Sequence, residues 1–158
     1  MTKTSLDFDP NRFRAAPMRR IAAYWQSKCA PGRLPGRADI LPEELRGDLP
    51  HVYLIDVLRP PLRFRYRLVG TAVCVLAGKD YTGTFLNEAE YGPNWQTIFD
   101  AYREVVERRE PLAAELFAPW FGRDFHYYER FLAPLCTAGG PVTMIFAALH
   151  SVEEPETA

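Results

Sequence analysis

The sequence predicts an α+β domain built on one five-stranded antiparallel sheet. Short helices and one long helix cover one face of this sheet, and an amphipathic N-terminal helix covers the other. Three observations support the prediction. The chain of 158 residues has the length of a single core, which typically takes about 100 to 150 residues. Helical and strand periods follow in the order helix, helix, two strands, short helices, long helix, three strands. The last three strands have short connections, which makes them antiparallel neighbours.

Composition excludes several classes of protein. Hydrophobic residues make up 47% of the chain and charged residues 25%, as in an ordinary globular domain and unlike a disordered chain, a collagen or a coiled coil. The 19 Lys and Arg residues nearly balance the 20 Asp and Glu residues, so the formal net charge is -1. No overall electric field therefore favours nucleic acid or an anionic membrane as a partner.

The sequence indicates a cytoplasmic location. Acidic residues stand near the N-terminus where a secretory signal carries an apolar run. The most hydrophobic stretch, 142–149, is far shorter than the ~20 residues of a membrane helix. Cys29, Cys74 and Cys136 are widely spaced and odd in number, which argues against a disulfide framework or a structural metal site. We expect all three cysteines to be small residues of the core.

The N-terminal region is predicted to contain one helix. Residues 1–16 have no apolar period and are expected to form a flexible or loosely docked arm. An amphipathic helix is expected within 17–33, because apolar residues recur at helical spacing after a proline that suits the first turn. The apolar residues expected to cover the sheet or to form a dimer interface are Met18, Ile21, Ala22 and Trp25.

A hairpin of two strands, 51–58 and 63–69, is predicted next. In the second strand, Phe64, Tyr66 and Leu68 alternate with Arg63, Arg65 and Arg67. The arginine row suits either the binding of phosphates or an acidic partner, or an exposed strand face balanced by nearby acids. Nucleic-acid binding is not expected, because the sequence has no reading helix and no excess of positive charge.

The C-terminal half is predicted to hold a long helix, 94–108, and three strands, 112–120, 125–135 and 142–150. These strands carry apolar residues on both faces, so both faces of the sheet must be covered. The long helix covers one face. The N-terminal helix, a partner subunit or both cover the other, and we therefore expect a homodimer. The acidic tail, 152–158, is expected to be disordered.

Several segments resemble the PAS fold. Residues 65–72 and 76–83 are similar to the PAS pattern of a second strand, a short helix and a Gly-Lys turn. Five further segments resemble small stand-alone PAS-like proteins of proteobacteria, a branch of unknown function; they are 35–40, 42–45, 49–51, 54–57 and 128–135. The resemblance implies a PAS-like domain over 34–151 and a sensory or interaction module that acts on another protein.

PAS pockets lie between the sheet and the long helix. On this chain, such a pocket is expected to be bordered by Phe64, Tyr66, Leu68, Leu76, Trp95, Phe99, Tyr102, Phe117, Tyr128 and Met144. Large aromatic side chains often fill such a space themselves, so a packed core remains an alternative to a ligand. Tyr66 and Tyr102 are the expected polar contacts, because a buried hydroxyl group needs a hydrogen-bond partner.

Known PAS cofactors do not match the chain. Haem-binding PAS domains commonly offer a histidine from the long helix, but 94–108 contains none, and the three histidines lie on or beside predicted strands. Light-sensing flavin PAS domains carry an Asn-Cys-Arg-Phe-Leu-Gln motif that is missing around Cys74. We therefore expect neither haem nor a photoactive flavin, and the ligand is not identified.

The predicted function is a non-enzymatic sensory module that binds a small molecule and acts through dimerisation or docking of a downstream signalling protein. One alternative is an interaction module without a ligand. A second is a small α+β cone enzyme of the isomerase or dehydratase type. Glu115 and Glu129 could approach each other across neighbouring strands as a catalytic pair, but surface pairing with arginines is the simpler interpretation.

Overall fold

The computed structural model describes residues 7–118 and 127–154. Its strands are β1 (Val52–Leu58), β2 (Arg63–Val69), β3 (Leu112–Phe117), β4 (Tyr127–Cys136) and β5 (Val142–Val152). Its α-helices are α1 (Ala16–Ser27), α2 (Pro42–Leu45), α3 (Thr71–Ala77), α4 (Glu88–Tyr91) and α5 (Trp95–Arg108). The strands form one antiparallel sheet in the order β2-β1-β5-β4-β3. The predicted fold class and the predicted order of elements are confirmed.

Both faces of the sheet are buried, and β4 illustrates the division. Phe131 and Ala133 belong to the hydrophobic cluster that contains α1. Tyr128 and Leu132 belong to a second cluster, which includes residues of α3 and α5. Successive side chains of a strand point to opposite faces, so the two clusters are separated by the backbone of the sheet. A sheet that is apolar on both sides is thus covered on both sides, as expected.

Helix α1 covers one face of the sheet. Its apolar stripe, Met18, Ile21, Ala22 and Trp25, is 0% exposed, and Nε1 of Trp25 donates a hydrogen bond of 3.2 Å to the carbonyl of Pro134. The predicted role of these four residues as a cover for the sheet agrees with the structure. Their expected contribution to a dimer interface does not, because the side chains are already enclosed within their own chain.

The segment before α1 is packed against the sheet. Phe13 is only 4% exposed, and its ring lies 6.0 Å from that of Phe131, edge to face. Phe8 lies 5.4 Å from the same ring. The expectation of a flexible or loosely docked arm is therefore wrong over 7–16; residues 1–6 lie outside the described part. Phe8 and Phe13 pack this segment against the sheet, although its sequence has no regular apolar period.

A buried carboxylate anchors the start of α1. Glu129, on the α1 face of β4, accepts hydrogen bonds from the backbone N–H groups of Arg14 at 2.7 Å and Ala15 at 2.9 Å. N–H groups at the start of a helix lack partners within the helix, and the helix dipole favours a negative charge at this end. Glu129 thus accepts hydrogen bonds from two N–H groups just before α1 and fixes the start of this helix on the sheet.

The alternation of β2 changes at a β-bulge. Leu54 of β1 pairs with Leu68, but the next residue, Ile55, pairs with Tyr66. Arg67 is therefore an additional residue on β2 with no partner in β1. An extra residue in one strand of a pair shifts every later side chain to the opposite face.

The bulge corrects the predicted faces of β2. Leu68 is 45% exposed, whereas Val69 is buried in the core, so Leu68 does not share the face of Phe64 and Tyr66. Arg65 and Arg67 both approach Asp56 of β1, at 3.1 Å and 3.8 Å. This agrees with the interpretation of the arginine row as a strand face balanced by nearby acids.

The turn between β2 and α3 depends on Gly70. A Cβ atom at this position would clash with backbone atoms of Pro50 and Val52, and the N–H of Gly70 donates to the carbonyl of Val52 at 2.8 Å. Only glycine permits so close an approach. Gly70 thereby lets α3 follow β2 directly, with Val73 in the core cluster that also contains residues of α5.

At the C-terminus, β5 continues through Val152, and the hydroxyl of Tyr127 donates to Glu154 at 3.3 Å. The expected disordered tail is therefore structured in its first residues, and 155–158 lie outside the described part. No helix within the described ranges combines the length and apolar character needed to cross a bilayer.

Replacement of the anchoring carboxylate should destabilise the domain. We expect Glu129→Gln to lower the free energy of unfolding by about 2 kcal/mol, because hydrogen bonds to a charged group contribute about 1.5 to 3 kcal/mol. Urea denaturation measures the change. Glu115→Gln is the control: Glu115 forms a salt bridge of 2.7 Å with the Arg14 guanidinium at the surface, so its loss should cost less than about 1 kcal/mol. Equal effects of the two substitutions would contradict the anchoring role.

Candidate functional site

A cavity of about 190 Å³ lies between the sheet and the helices α3 and α5. All five strands contribute to its wall, through Tyr53, Tyr66, Val69, Leu116, Phe117, Tyr128, Arg130 and Leu149. The helices and their connections contribute Val73, Ala77, Tyr81, Tyr91, Asn94, Thr97, Ile98 and Tyr102. Ala118, which directly follows β3, also lines the cavity. The wall is mostly apolar and aromatic, with a few polar groups, as in typical small-molecule sites.

Four of the ten residues predicted to border a pocket line this cavity: Tyr66, Tyr102, Phe117 and Tyr128. Three others, Phe64, Trp95 and Phe99, pack against one another instead. The ring of Phe99 lies 5.2 Å from that of Phe64 and 5.8 Å from that of Trp95, both edge to face. Aromatic side chains therefore fill one part of the space beneath α5, and the cavity occupies the part next to Ile98 and Tyr102.

The remaining three predicted residues lie elsewhere. Leu68 is turned away from the core by the β-bulge. Leu76 packs against the core cluster on the cavity side, but does not line the cavity. Met144 lies on the opposite face of the sheet, among the residues beneath α1. Its neighbour Ile145 faces the cavity side. The register of β5 therefore turns Met144 away from the cavity, and the sequence alone does not reveal this register.

Tyrosine hydroxyls form a buried polar group beside the cavity. The hydroxyls of Tyr66 and Tyr102 are 2.8 Å apart, so the two predicted polar contacts satisfy each other. Burial raises the pKa of both tyrosines well above the usual value, and it also raises the pKa of Tyr53 and Tyr91. All four hydroxyls therefore stay protonated at neutral pH and can donate as well as accept hydrogen bonds.

Arg130 is the charged residue of the cavity wall. It is 9% exposed, and its Nε atom is buried and has no hydrogen-bond partner in the described part of the chain. Sequence reasoning did not select Arg130 as a site residue. The available signal was its place between Tyr128 and Leu132 on one face of β4, where a charged side chain interrupts an apolar row.

The other reactive residues lie outside the cavity. Cys136 is buried, and Cys29 and Cys74 are half-buried thiols. Burial raises the pKa of Cys29 to about 12 and also raises that of Cys74, which lowers the fraction of each thiol that is present as the reactive thiolate. Within residues 7–118 and 127–154, no three His, Cys, Asp or Glu side chains are grouped to hold a metal ion.

The two carboxylates considered as a catalytic pair have separate partners. Glu115 and Glu129 are direct neighbours in the register of β3 and β4, as the sequence suggested. The Arg14 guanidinium binds Glu115, while the backbone of Arg14 and Ala15 binds Glu129. Both lie on the α1 face and not in the cavity, so their arrangement is that of a structural anchor.

Two histidines form a contact near the C-terminal end of β5, where His150 is the register partner of Glu129. The rings of His51 and His150 are 4.5 Å apart, and Nδ1 of His51 lies 3.3 Å from the carbonyl oxygen of Leu149. Burial and the nearby His150 lower the pKa of His51, in that order of importance. The third histidine, His126, lies outside the described residues.

These features define an α+β domain whose antiparallel sheet and long helix enclose a ligand-sized cavity. A family model described as a PAS domain matches residues 13–150. The chain therefore belongs to the PAS domain family, which confirms the resemblance found in the sequence. The match begins at Phe13, the buried residue of the segment before α1. Membership of this family decides against the small α+β cone.

Two solved structures are similar to this chain. A light-oxygen-voltage domain studied with a flavin analogue is 16% identical over 71% of this chain and 84% of that chain, with a TM-score of 0.50. The PAS domain of histidine kinase ThkA is 17% identical over 62% of this chain and 98% of that chain, with a TM-score of 0.42. The first likeness shows a shared fold. No curated protein matches the chain.

Removal of one hydroxyl from the buried tyrosine pair should destabilise the fold. We expect Tyr66→Phe to lower the free energy of unfolding by about 1 to 2 kcal/mol, because the Tyr102 hydroxyl loses its partner in a buried position. Chemical denaturation measures the difference. The matched control is Tyr127→Phe, which removes a surface hydrogen bond and should stay within about 0.5 kcal/mol of the wild type. If both variants behave alike, the hydroxyl pair contributes no stability.

Acidification should weaken the fold through His51. The pKa of His51 is lower in the folded chain, so the unfolded chain binds more protons near pH 6 and stability rises with pH in this range. We expect the free energy of unfolding to fall between about pH 7 and about pH 5.5. His51→Gln should flatten this slope. A slope that is the same in the variant and the wild type would contradict the assignment.

Proposed function

We propose that this chain is a sensory PAS module that binds a small molecule in the cavity between the sheet and α5. The single observation that supports the proposal most strongly is the cavity of about 190 Å³. Protein interiors are otherwise close-packed, and an apolar cavity of about 150 Å³ is large enough to bind benzene. The space next to Tyr102 and Ile98 therefore suits a compact ligand with an apolar body.

The path from the cavity to the surface runs through β4 in this proposal. Tyr128 and Arg130 line the cavity, and Glu129, which lies between them, holds the start of α1 on the opposite face. A ligand that displaces β4 would change the hydrogen bonds that the Arg14 and Ala15 N–H groups donate to Glu129. Helix α1 and the segment before it would then report the ligand to a partner.

We further propose that the module is non-enzymatic and cytoplasmic and acts through dimerisation or docking of a signalling protein. The nearest approach to a catalytic pair, Glu115 and Glu129, is engaged by Arg14 and Ala15, which favours a structural role for both carboxylates. A dimer would have to use a surface other than the apolar stripe of α1, since that stripe is fully buried.

A matched pair of substitutions on α3 tests ligand binding. Val73 is 5% exposed and lines the cavity, whereas Val75 on the same helix is 80% exposed. Toluene is a suitable neutral probe, followed by nuclear magnetic resonance of the tyrosine rings. We expect saturable binding to the wild type, a loss of about tenfold or more in Val73→Phe because the new ring occupies the cavity, and unchanged binding in Val75→Phe.

Two further measurements complete this test. Native mass spectrometry of the protein as purified should detect a retained ligand as added mass. Amide hydrogen exchange should change at Arg14 and Ala15 when toluene binds. If toluene binds neither the wild type nor Val75→Phe, or binds all three proteins equally, the cavity is not a ligand site and the interaction module without a ligand is favoured.

A further inference from the structure

We propose that the ligand is a small organic anion, specifically a monocarboxylate with a compact apolar body, and that its carboxylate binds Arg130. This inference rests on the proposed ligand-binding function and specifies the chemical class of the ligand. It follows from the position of the Arg130 side chain, from the lack of a counter-ion within the described chain, and from the composition of the cavity wall.

The sheet places Arg130 among residues that cannot neutralise it. Its cross-strand neighbours in register are Ala114 of β3 and Leu149 of β5, and both are apolar. The adjacent acid, Glu129, points to the opposite face because side chains alternate along β4. The same face of β4 continues with Tyr128 and Leu132, neither of which carries a negative charge.

Within residues 7–118 and 127–154, the Arg130 guanidinium is consequently a buried cation without an ion-pair partner. Its Nε has no hydrogen bond, and no carboxylate of the described residues forms an ion pair with it. Arginine does not lose its proton in proteins, so burial cannot be relieved by neutralisation. A buried charge is costly unless it is paired and hydrogen-bonded. An anion bound in the cavity would supply both the charge and the acceptor atoms.

The cavity wall favours a carboxylate over other anions. The planar guanidinium presents parallel N–H groups that match the two oxygens of a carboxylate. Burial raises the pKa of Tyr53 and Tyr102, and the positive charge of Arg130 opposes this rise, so both hydroxyls lie within its electrostatic reach. The rest of the wall, including Ile98 and Leu149, is apolar and suits a ring or short chain better than a second charge.

Benzoate, benzamide and inorganic phosphate separate these features. Benzamide has nearly the shape of benzoate without its charge, and phosphate has charge without an apolar body. Calorimetric titration should show benzoate binding to the wild type about 30-fold tighter than benzamide or phosphate. Arg130→Met should weaken benzoate by about 30-fold and leave benzamide unchanged, since a buried charge pair loses this much when one partner is removed.

Arg103→Met is the control for net charge. Arg103 lies on α5 and pairs with Asp100 at the surface, so this substitution should change no titration. The melting temperature supplies a second readout. Arg130→Met should not lower it in the empty protein, because the lost cation has no ion-pair partner among the described residues, and benzoate should raise it in the wild type and in Arg103→Met but not in Arg130→Met. Arg130→Gln serves the same purpose if the Met variant does not fold.

The outcomes distinguish this inference from the proposed function. If benzamide binds as tightly as benzoate, or if Arg130→Met leaves benzoate binding unchanged, the carboxylate assignment is wrong while toluene binding still supports a ligand cavity. If phosphate binds as tightly as benzoate, the site recognises charge alone and the apolar body is wrong. If neither benzoate nor toluene binds, both proposals fail.

Discussion

The alternation of side chains along the strands of a sheet that is buried on both faces is the constraint on which the rest of this structure depends. Neighbouring residues of β4 serve different parts of the protein. Glu129 holds the start of α1 on one face, and Arg130 projects to the cavity side on the other. Because the two side chains lie on opposite faces, the backbone keeps the Glu129 carboxylate and the Arg130 guanidinium from forming an ion pair. Two oppositely charged residues that are adjacent in sequence thus lie in different surroundings, on opposite faces of the sheet.

The cavity results from how α5 meets the sheet. Trp95 and Phe99 on one side of the helix fill the space down to Phe64 with aromatic rings. Tyr102 and Ile98 border the part that remains open. Edge-to-face packing brings the rings close on the first side, whereas the hydroxyl groups on the second must stay near partners they can bond to.

The cover of the opposite face belongs to the same domain. Phe13 and Trp25 flank the ring of Phe131, so the N-terminal segment contributes to a core that is separate from the cavity. The two cores lie on opposite faces of the same strands, and Leu34 packs against both. In the proposed function, a change in the strands caused by a ligand would reach α1 through Glu129 and the packing of Phe131, without a direct contact between ligand and helix.

Local patterns in the sequence determined the class, the order of the elements, the amphipathic face of α1 and four residues of the cavity wall, because helical and strand periods are properties of short segments. Tertiary structure alone decided the rest. The bulge at Arg67 reversed Leu68 and Val69, and the register of β5 moved Met144 to the α1 face. Pairing between distant segments sets both, and a shift of one residue exchanges the two faces. The burial of Arg130 with no ion-pair partner among the described residues likewise depends on its neighbours in β3 and β5, which no local pattern contains.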